Sequence, residues 1–313
     1  MDGAYEVGER VELIHPARFL FNAGSTPKAW NKKMLNDEHF KVLMYEADSG
    51  KIFPNTDIKG GIAVTYRDRG QDFGKIENFI VFDELRSIDA KVAAEMEDSL
   101  AKIVYPSESY RFTEQMHKEN PDAGKLLSKG HKYDFKTSVL DKLGDKIFFD
   151  EAPEDGEEYV GIIGLINAKR VTRYIRRKYI KEPDNFIGYK ILVPAANGSG
   201  ALGEVLSTPL IGQPLIGHTQ TFISVGNFET EIEAEACFKY IKSKFARVLL
   251  GILKITQHNP PDKWRHIPLQ DFTSSSDIEW SVSIPEIDQQ LYAKYGLDED
   301  EIEFIETHVK EMA

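Results

Sequence analysis

The 313-residue sequence predicts an α/β unit over about the first hundred residues, an α+β region behind it, and a helical tail. Three observations support this. Runs of strand length alternate with stretches of helical spacing between residues 11 and 103. After further strand-like runs, a capped amphipathic helix opens at Thr230. Beyond Ser274-Ser275-Ser276 the chain turns helical and acidic.

Val11 to Ile14 is a short apolar run, and His15-Pro16 ends it because proline cannot donate to a ladder. Pro27 to Asn36 predicts a short helix, with Thr26 as N-cap and Pro27 at the first helical position. Lys41 to Tyr45, Gly61 to Tyr66 and Asn78 to Phe82 read as strands, the first two separated by turn-rich sequence. From Glu84 to Ile103, Leu85, Ile88, Val92, Met96, Leu100 and Ile103 recur at helical spacing. Segment 106–158 is polar and turn-rich, and little regular structure is expected there. Tyr159 to Ile180 predicts a β-hairpin turning around Asn167-Ala168-Lys169-Arg170. Tyr189 to Pro194 and Thr221 to Val225 are two further strands. Thr230-Glu231-Ile232-Glu233 matches a capping box, and Ile232, Phe238, Ile241, Phe245, Val248, Leu249 and Ile252 form an apolar stripe to about Lys254.

Composition narrows the function. Lys and Arg total 39 against 51 Asp and Glu, a formal charge of −12. Spread evenly, that charge would repel a polyanion. It is not even: Tyr159 to Lys181 holds seven basic residues and no acidic one, whereas Asp298 to Ala313 holds seven acids and one Lys. A localised anion-binding face is compatible with that distribution. The single cysteine, Cys237, excludes an internal disulfide and a cysteine-clustered metal site. No signal-peptide pattern and no apolar run near ~18 residues is present, so a cytoplasmic protein without a membrane partner is expected.

Three short motifs have a functional and a plain reading. Gly198-Ser199-Gly200-Ala201-Leu202-Gly203 spells a dinucleotide fingerprint after a strand, but the helix that should hold the pyrophosphate does not follow, which favours a mobile surface loop. Asn259-Pro260-Pro261-Asp262 approaches the tetrapeptide with which amino-methylating DNA enzymes hold a flipped base; Asp262 cannot stack, and a turn is expected. Pro121-Asp122 with Asp134-Phe135-Lys136 follows the order of a magnesium-dependent nuclease core, a loose pattern that chance often matches. The eight histidines show no metal-ligand spacing, and neither a catalytic set nor a metal site is assigned.

The basic stretch is more informative. Lys169, Arg170, Arg173, Arg176, Arg177 and Lys178 are interleaved with Tyr174 and Tyr179, a mixture suited to phosphates and bases. Its plain reading is a solvated face. Lys239, Lys242, Lys244 and Arg247 form a second basic set on the polar side of the capped helix, where solubility alone would explain them.

Val11-Glu12-Leu13-Ile14-His15-Pro16-Ala17-Arg18-Phe19-Leu20 and Phe53-Pro54-Asn55-Thr56-Asp57-Ile58-Lys59-Gly60-Gly61 resemble the late half of a DNA adenine methyltransferase of the Eco57I restriction–modification type. Lys190-Ile191-Leu192-Val193-Pro194-Ala195-Ala196-Asn197-Gly198-Ser199-Gly200 resembles the TaqI-like specificity domain of those enzymes. So does Lys239 to Arg247, followed by Gln257-His258-Asn259 and Trp264. The resemblance implies a C-terminal remnant of a Rossmann-like methyltransferase α/β fold at 1–105, an α+β target-recognition domain at 106–273 and an acidic helical tail at 274–313. The family's S-adenosylmethionine loop and Asn-Pro-Pro-Tyr loop would lie upstream of Val11, so no cofactor and no methyl transfer are expected of this chain alone. Site-specific binding of double-stranded DNA is the function implied, alongside an N-terminal methyltransferase portion as partner. Lys169, Arg170, Arg173, Arg176, Lys178, Asn197, Ser199, Lys239 and Lys242 are its expected DNA-binding residues. Phe53 matches the aromatic that packs on the flipped adenine, or is a core phenylalanine at a strand start. The alternative is a nuclease using Asp122, Asp134 and Lys136.

Overall fold

In a computed structural model, which describes residues 1–22, 25–58, 60–198, 201–254 and 256–312, the chain divides into two units, Met1–Arg86 and Ser87–Ala313. The first begins with α1 (Asp2–Val7) and β1 (Arg10–Pro16), followed by α2 (Lys28–Leu35), β2 (Phe40–Glu46) and β3 (Ile62–Asp68). β3 is central and pairs antiparallel with both neighbours, Leu13 facing Thr65 and Val42 facing the same residue from the other side. Val11 and Leu13 lean onto a core of Phe19, Leu20, Met34, Leu35, Phe40 and Ala63.

This unit departs from the expectation in four places. Its sheet is antiparallel throughout, where an α/β unit implies parallel strands; the connection from β2 to β3 holds a 3-10 turn and no crossover helix. The ladder continues through Pro16, which sits on an edge strand where a missing donor is tolerated. α2 is preceded by Pro27 at the N-cap, without a side-chain cap, so Thr26 does not cap it. Asn78 to Phe82 is not a strand: Phe79 turns its ring onto Phe21 and Tyr45, with centroids 5.5 and 5.6 Å away, and Ile80 is buried.

α3 (Asp83–Glu95) stops short of Ile103, and Ser99 instead caps a separate 3-10 turn, Leu100–Ile103. Then come β4 (Val104–Tyr105), β5 (Arg111–Phe112), α4 (Glu114–Glu119), α5 (Ala123–Leu126) and α6 (Val139–Ile147). Segment 106–158 is thus better ordered than its polarity suggests. Tyr110, Phe112, Met116, Phe135, Leu140, Leu143 and Phe148 are buried in one core with Val160, Ile162 and Ile175. The rings of Phe112 and Phe135 lie 4.2 Å apart.

β6 (Tyr159–Ile166) and β7 (Lys169–Arg176) form the expected hairpin. β8 (Ile180–Lys181), β9 (Tyr189–Pro194), β10 (Leu210–Gly212), β11 (Ile216–His218) and β12 (Phe222–Phe228) follow. They build a β10-β9-β12-β4 sheet and a β11-β6-β7 sheet, in which β11 joins β6 in parallel. The single long helix expected after Thr230 is two, α7 (Glu231–Lys242) and α8 (Lys244–Leu253). Ser243 takes an extended ψ of 150° and caps the second by accepting from the Ala246 amide. Thr230 does accept from the Glu233 amide, but the Glu233 carboxylate returns to the Glu229 amide, and Ile232 is 77% exposed, outside the stripe. α9 (Ile284–Lys294) and α10 (Glu299–His308) pack on α8, so the acidic tail belongs to the second unit. The division into two units falls between Arg86 and Ser87, with residues 274–312 in the second unit. Among the described residues no helix is long and apolar enough to cross a membrane.

Two buried cationic or basic groups hold this unit at its centre. Lys190 Nζ donates to the carbonyls of Phe186, Gln213 and Ile216 at 3.1–3.3 Å, and burial pulls its pKa down to about 8. His218 donates from Nδ1 to the Thr219 carbonyl and lies edge-on to Tyr110, its Nε2 without a partner among the described residues. Burial depresses its pKa from 6.5 to about 4. The unfolded chain therefore binds the extra proton first, and stability falls as pH drops through that window, by up to roughly 3 kcal/mol. Asp288, pushed up from 3.8 to about 6 by burial, acts in the opposite sense over nearly the same range. The expected signature is thus differential: between pH 7 and pH 4.5, urea unfolding should show wild type losing stability relative to His218→Phe. A gap independent of pH would contradict a neutral, buried imidazole.

Candidate nucleic-acid interface

β6 is the inner strand of the hairpin, buried from Val160 to Gly164, while β7 is largely half-buried, with Lys169, Arg170 and Thr172 exposed. The apolar residues of β6 meet the core, so the basic residues of β7 are left on the surface. Asn167 and Ala168 have φ of 50° and 60°, the paired left-handed values of a two-residue type I′ turn, and Ile166 faces Lys169 directly. Lys169 and Arg170 are consequently at the exposed tip.

A cleft of about 580 Å³ opens beside this tip, lined by Lys136, Thr137, Ser138, Asp141, Asn167 and Gln220 among others. The Gln220 amide donates to the Phe135 carbonyl at 2.7 Å, which brings Lys136 to the hairpin. Arg170 donates to the Thr208 carbonyl and hydroxyl at 2.8 and 3.1 Å, with its guanidinium 5.3 Å from the Phe222 ring centre. These bonds orient Arg170 without neutralising it. Among the described residues, no carboxylate forms an ion pair with Lys136, Lys169 or Arg170.

Further along β7 the charges are matched. Arg173 pairs with Asp150. Arg176 donates to the Tyr159 hydroxyl at 3.0 Å, Asp155 at 2.8 Å and the Tyr179 hydroxyl at 3.4 Å, and these bonds, led by Tyr159, raise its pKa. Arg177 takes Glu182 in a fork, at 3.2 and 2.7 Å, and Glu158 at 2.8 Å. Lys178 reaches Glu157 at 2.6 Å and Glu119 at 3.4 Å. The Tyr179 hydroxyl and Gln115, then Lys178, hold Glu119 down to about 2. A run with no acid in its own sequence therefore receives acids from residues 150–158, 119 and 182.

The other expected contacts lie inside the fold. Asn197 is 6% exposed, donates to the Val205 carbonyl and accepts from Asn259 Nδ2 at 2.6 Å. Lys239 Nζ donates to the carbonyls of Trp280, Ser281 and Val282. Lys242 rests 4.7 Å from the Phe238 ring centre, and partial burial lowers its pKa. Ser199 is outside the described residues. Phe53, in the first unit, is 40% exposed on a turn in which its carbonyl accepts from the Thr56 hydroxyl, so it is not a core phenylalanine. Asn259-Pro260-Pro261-Asp262 is a turn, with Asn259 donating to the Pro194 carbonyl.

Of the nuclease triplet, Asp122 pairs with Lys125, Asp134 is held by Arg111 and His131, and Lys136 lines the tip cleft. No group of three or more His, Cys, Asp or Glu among the described residues is arranged to hold a metal. Gln220 and the role of Lys136 at the tip were not legible in sequence. Only the bend after β11 brings them to Asn167, and no local pattern marks that contact.

The glycine-rich run, of which Ser199 and Gly200 lie outside the described residues, is not followed by the helix that a nucleotide cradle needs. Irregular chain and then β10 follow it instead of a helix, and of its described part Ala201 is exposed while Gly203 is buried. Gly203 has φ of +68°, and a Cβ there would strike the His308 carbonyl and come within 2.6 Å of Val309 Cα. Its own carbonyl accepts from the Lys310 amide and Arg247. Gly203→Ala should therefore cost about 2 kcal/mol or more, from a left-handed backbone together with an unyielding neighbour. Chemical unfolding measures this, and unchanged stability would mean the loop is not docked.

No protein-family model matches the chain, and no curated protein does. Among solved structures it is similar to one described as the type IIG restriction endonuclease BpuSI, at 11% sequence identity and a TM-score of 0.36. The match covers 96% of this chain and 46% of that one, so the chain spans under half the length of that enzyme.

Proposed function

We propose that the chain recognises double-stranded DNA as the specificity portion of a restriction–modification adenine methyltransferase, and that the β6–β7 tip meets the duplex. The carrying observation is the exposed tip at Lys169 and Arg170, neither in an ion pair with a carboxylate among the described residues, next to a cleft lined by Lys136, Thr137, Ser138, Asp141, Asn167 and Gln220. The cations supply sequence-independent attraction to phosphates. Amides and hydroxyls next to them have the donors and acceptors that read base edges. A two-stranded hairpin is also narrow enough to enter the major groove. The motif resemblance around residues 53–61 and 190–200 supports the family setting. Nothing in the surroundings of Asp122 and Asp134 favours the nuclease reading.

Fluorescence anisotropy on a labelled duplex at several salt concentrations tests this. Lys169→Ala and Arg170→Ala should each weaken binding on all sequences and flatten the salt slope by about one unit per lost phosphate contact. Arg176→Ala should flatten the slope less than either tip variant, since its guanidinium must first give up Asp155 and two tyrosines. Asn167→Ala should relax preference at one base pair, at about 1–3 kcal/mol on the target site. Equal losses from the tip variants and from Lys75→Ala, an exposed lysine of the first unit, would overturn the assignment.

A further inference from the structure

The matched charges on β7 have a second consequence, which rests on the DNA-binding reading. We propose that the acidic segment 150–158, helped by Glu119 and Glu182, occupies the phosphate-binding face of the basic strand, so that a duplex reaches Arg173, Arg176, Arg177 and Lys178 only by displacing it.

The chemistry of the pairs fits this role. Guanidinium forks bind carboxylate and phosphate oxygens with the same geometry. Arg177 already uses its fork on Glu182, with Glu158 on the remaining nitrogen. Asp150, Asp155, Glu157 and Glu158 meet Arg173, Arg176, Lys178 and Arg177, one carboxylate to each cation.

The manner in which the segment is held points the same way. Its ends are pinned by backbone bonds, Phe149 with Tyr174 in both directions and the Arg177 amide to the Glu158 carbonyl. Between them, residues 150–158 form no helix or strand, and all but Pro153 are exposed. Little apolar packing opposes its release. The Asp150 and Glu158 side chains remain 79% and 62% exposed, and exposed ion pairs are weak and screened by salt. A duplex presents a far denser row of anions, about one charge per 1.7 Å of its axis. The cleft of about 1060 Å³ bounded by Glu157, Glu158, Arg177, Lys178 and Lys181 lies at the lower end of this face, where a released segment would leave cations in excess.

The experiment compares two variants with the same change in net charge. One combines Asp150→Asn, Asp155→Asn, Glu157→Gln and Glu158→Gln; the other neutralises four exposed acids elsewhere, Glu235→Gln, Asp300→Asn, Glu303→Gln and Glu311→Gln. At ~100 mM salt the first should bind a mixed-sequence duplex at least about tenfold more tightly than wild type, with a salt slope steeper by about two or more. The second should gain much less. Adding Arg173→Ala and Arg176→Ala to the first variant should abolish its gain. A gain no larger than the control's, or one that survives loss of both arginines, overturns the proposal.

Wild-type protein supplies an independent readout. Saturating duplex should speed cleavage by a glutamate-specific protease at Glu151, Glu154 and Glu157, and protection there would equally overturn displacement. If wild type binds DNA through Lys169 and Arg170 while the segment's neutralisation changes nothing, only this inference falls. If no variant binds DNA at any salt, the DNA-binding reading falls with it.

Discussion

The turn at Asn167-Ala168 fixes which residues of β6 and β7 face one another, and side chains alternate faces with a period of two. Ile175 is fully buried and Val171 packs partly on the same core, so the register cannot slip by one residue without exposing them. A slip would also drive arginines into a space filled by Phe148, Ile162 and Leu140. The aromatic core beneath the hairpin thereby dictates that Lys169 and Arg170 stand at the tip and that Arg173 and Arg176 lie along the strand. The contents of the candidate interface follow from that one constraint.

Cations in this molecule fall into three groups that a sequence count treats alike. Lys190, Lys239 and Arg247 have replaced water with backbone carbonyls; Arg247 bonds those of Lys242, Gly203 and Lys310, and burial brings its pKa down to about 10. Removing such a group strands several buried acceptors, each worth about 1–3 kcal/mol. Arg173, Arg176, Arg177 and Lys178 are matched by carboxylates at the surface. Lys136, Lys169 and Arg170 have no carboxylate partner among the described residues. Of these three groups, the last offers an anion a target with no carboxylate ion pair already on it among the described residues.

Local patterning made part of this legible. The hairpin, β9 and the cap at Thr230 rest on period-two alternation or on a capping side chain four or fewer residues away, and sequence displays both. The break between α7 and α8 did not show, because Ser243 sits between two stretches whose apolar residues happen to continue in phase. The core of 106–158 was hidden for a different reason. Phe112 and Phe135 each stand singly beside charged residues, and their rings join that of Phe148 in a core only across turns. The same limit applied to the basic stretch: its residues were identified, but their partners come from as far as Glu119. Lys239 and Asn197 read as DNA contacts, and in the fold their side chains bond backbone carbonyls of other segments.

The distinction between buried and surface-matched cations decides what each can do. A cation enclosed by carbonyls, such as Lys190, cannot exchange partners without opening the sheet around it, because its acceptors would be left in an apolar interior. A cation matched at the surface exchanges one anion for another with water still present on the outer side of the pair, so the difference in free energy between the two partners is small. Such a difference can be reversed by the charge density of a duplex, or by salt, without disturbing the core. If the chain binds DNA as proposed, the face along β7 is the part of this fold where that binding would depend strongly on conditions, and the tip would be its first point of attraction. Those two properties on one hairpin are what a protein needs if it is to meet DNA weakly at first and engage it over a larger face afterwards.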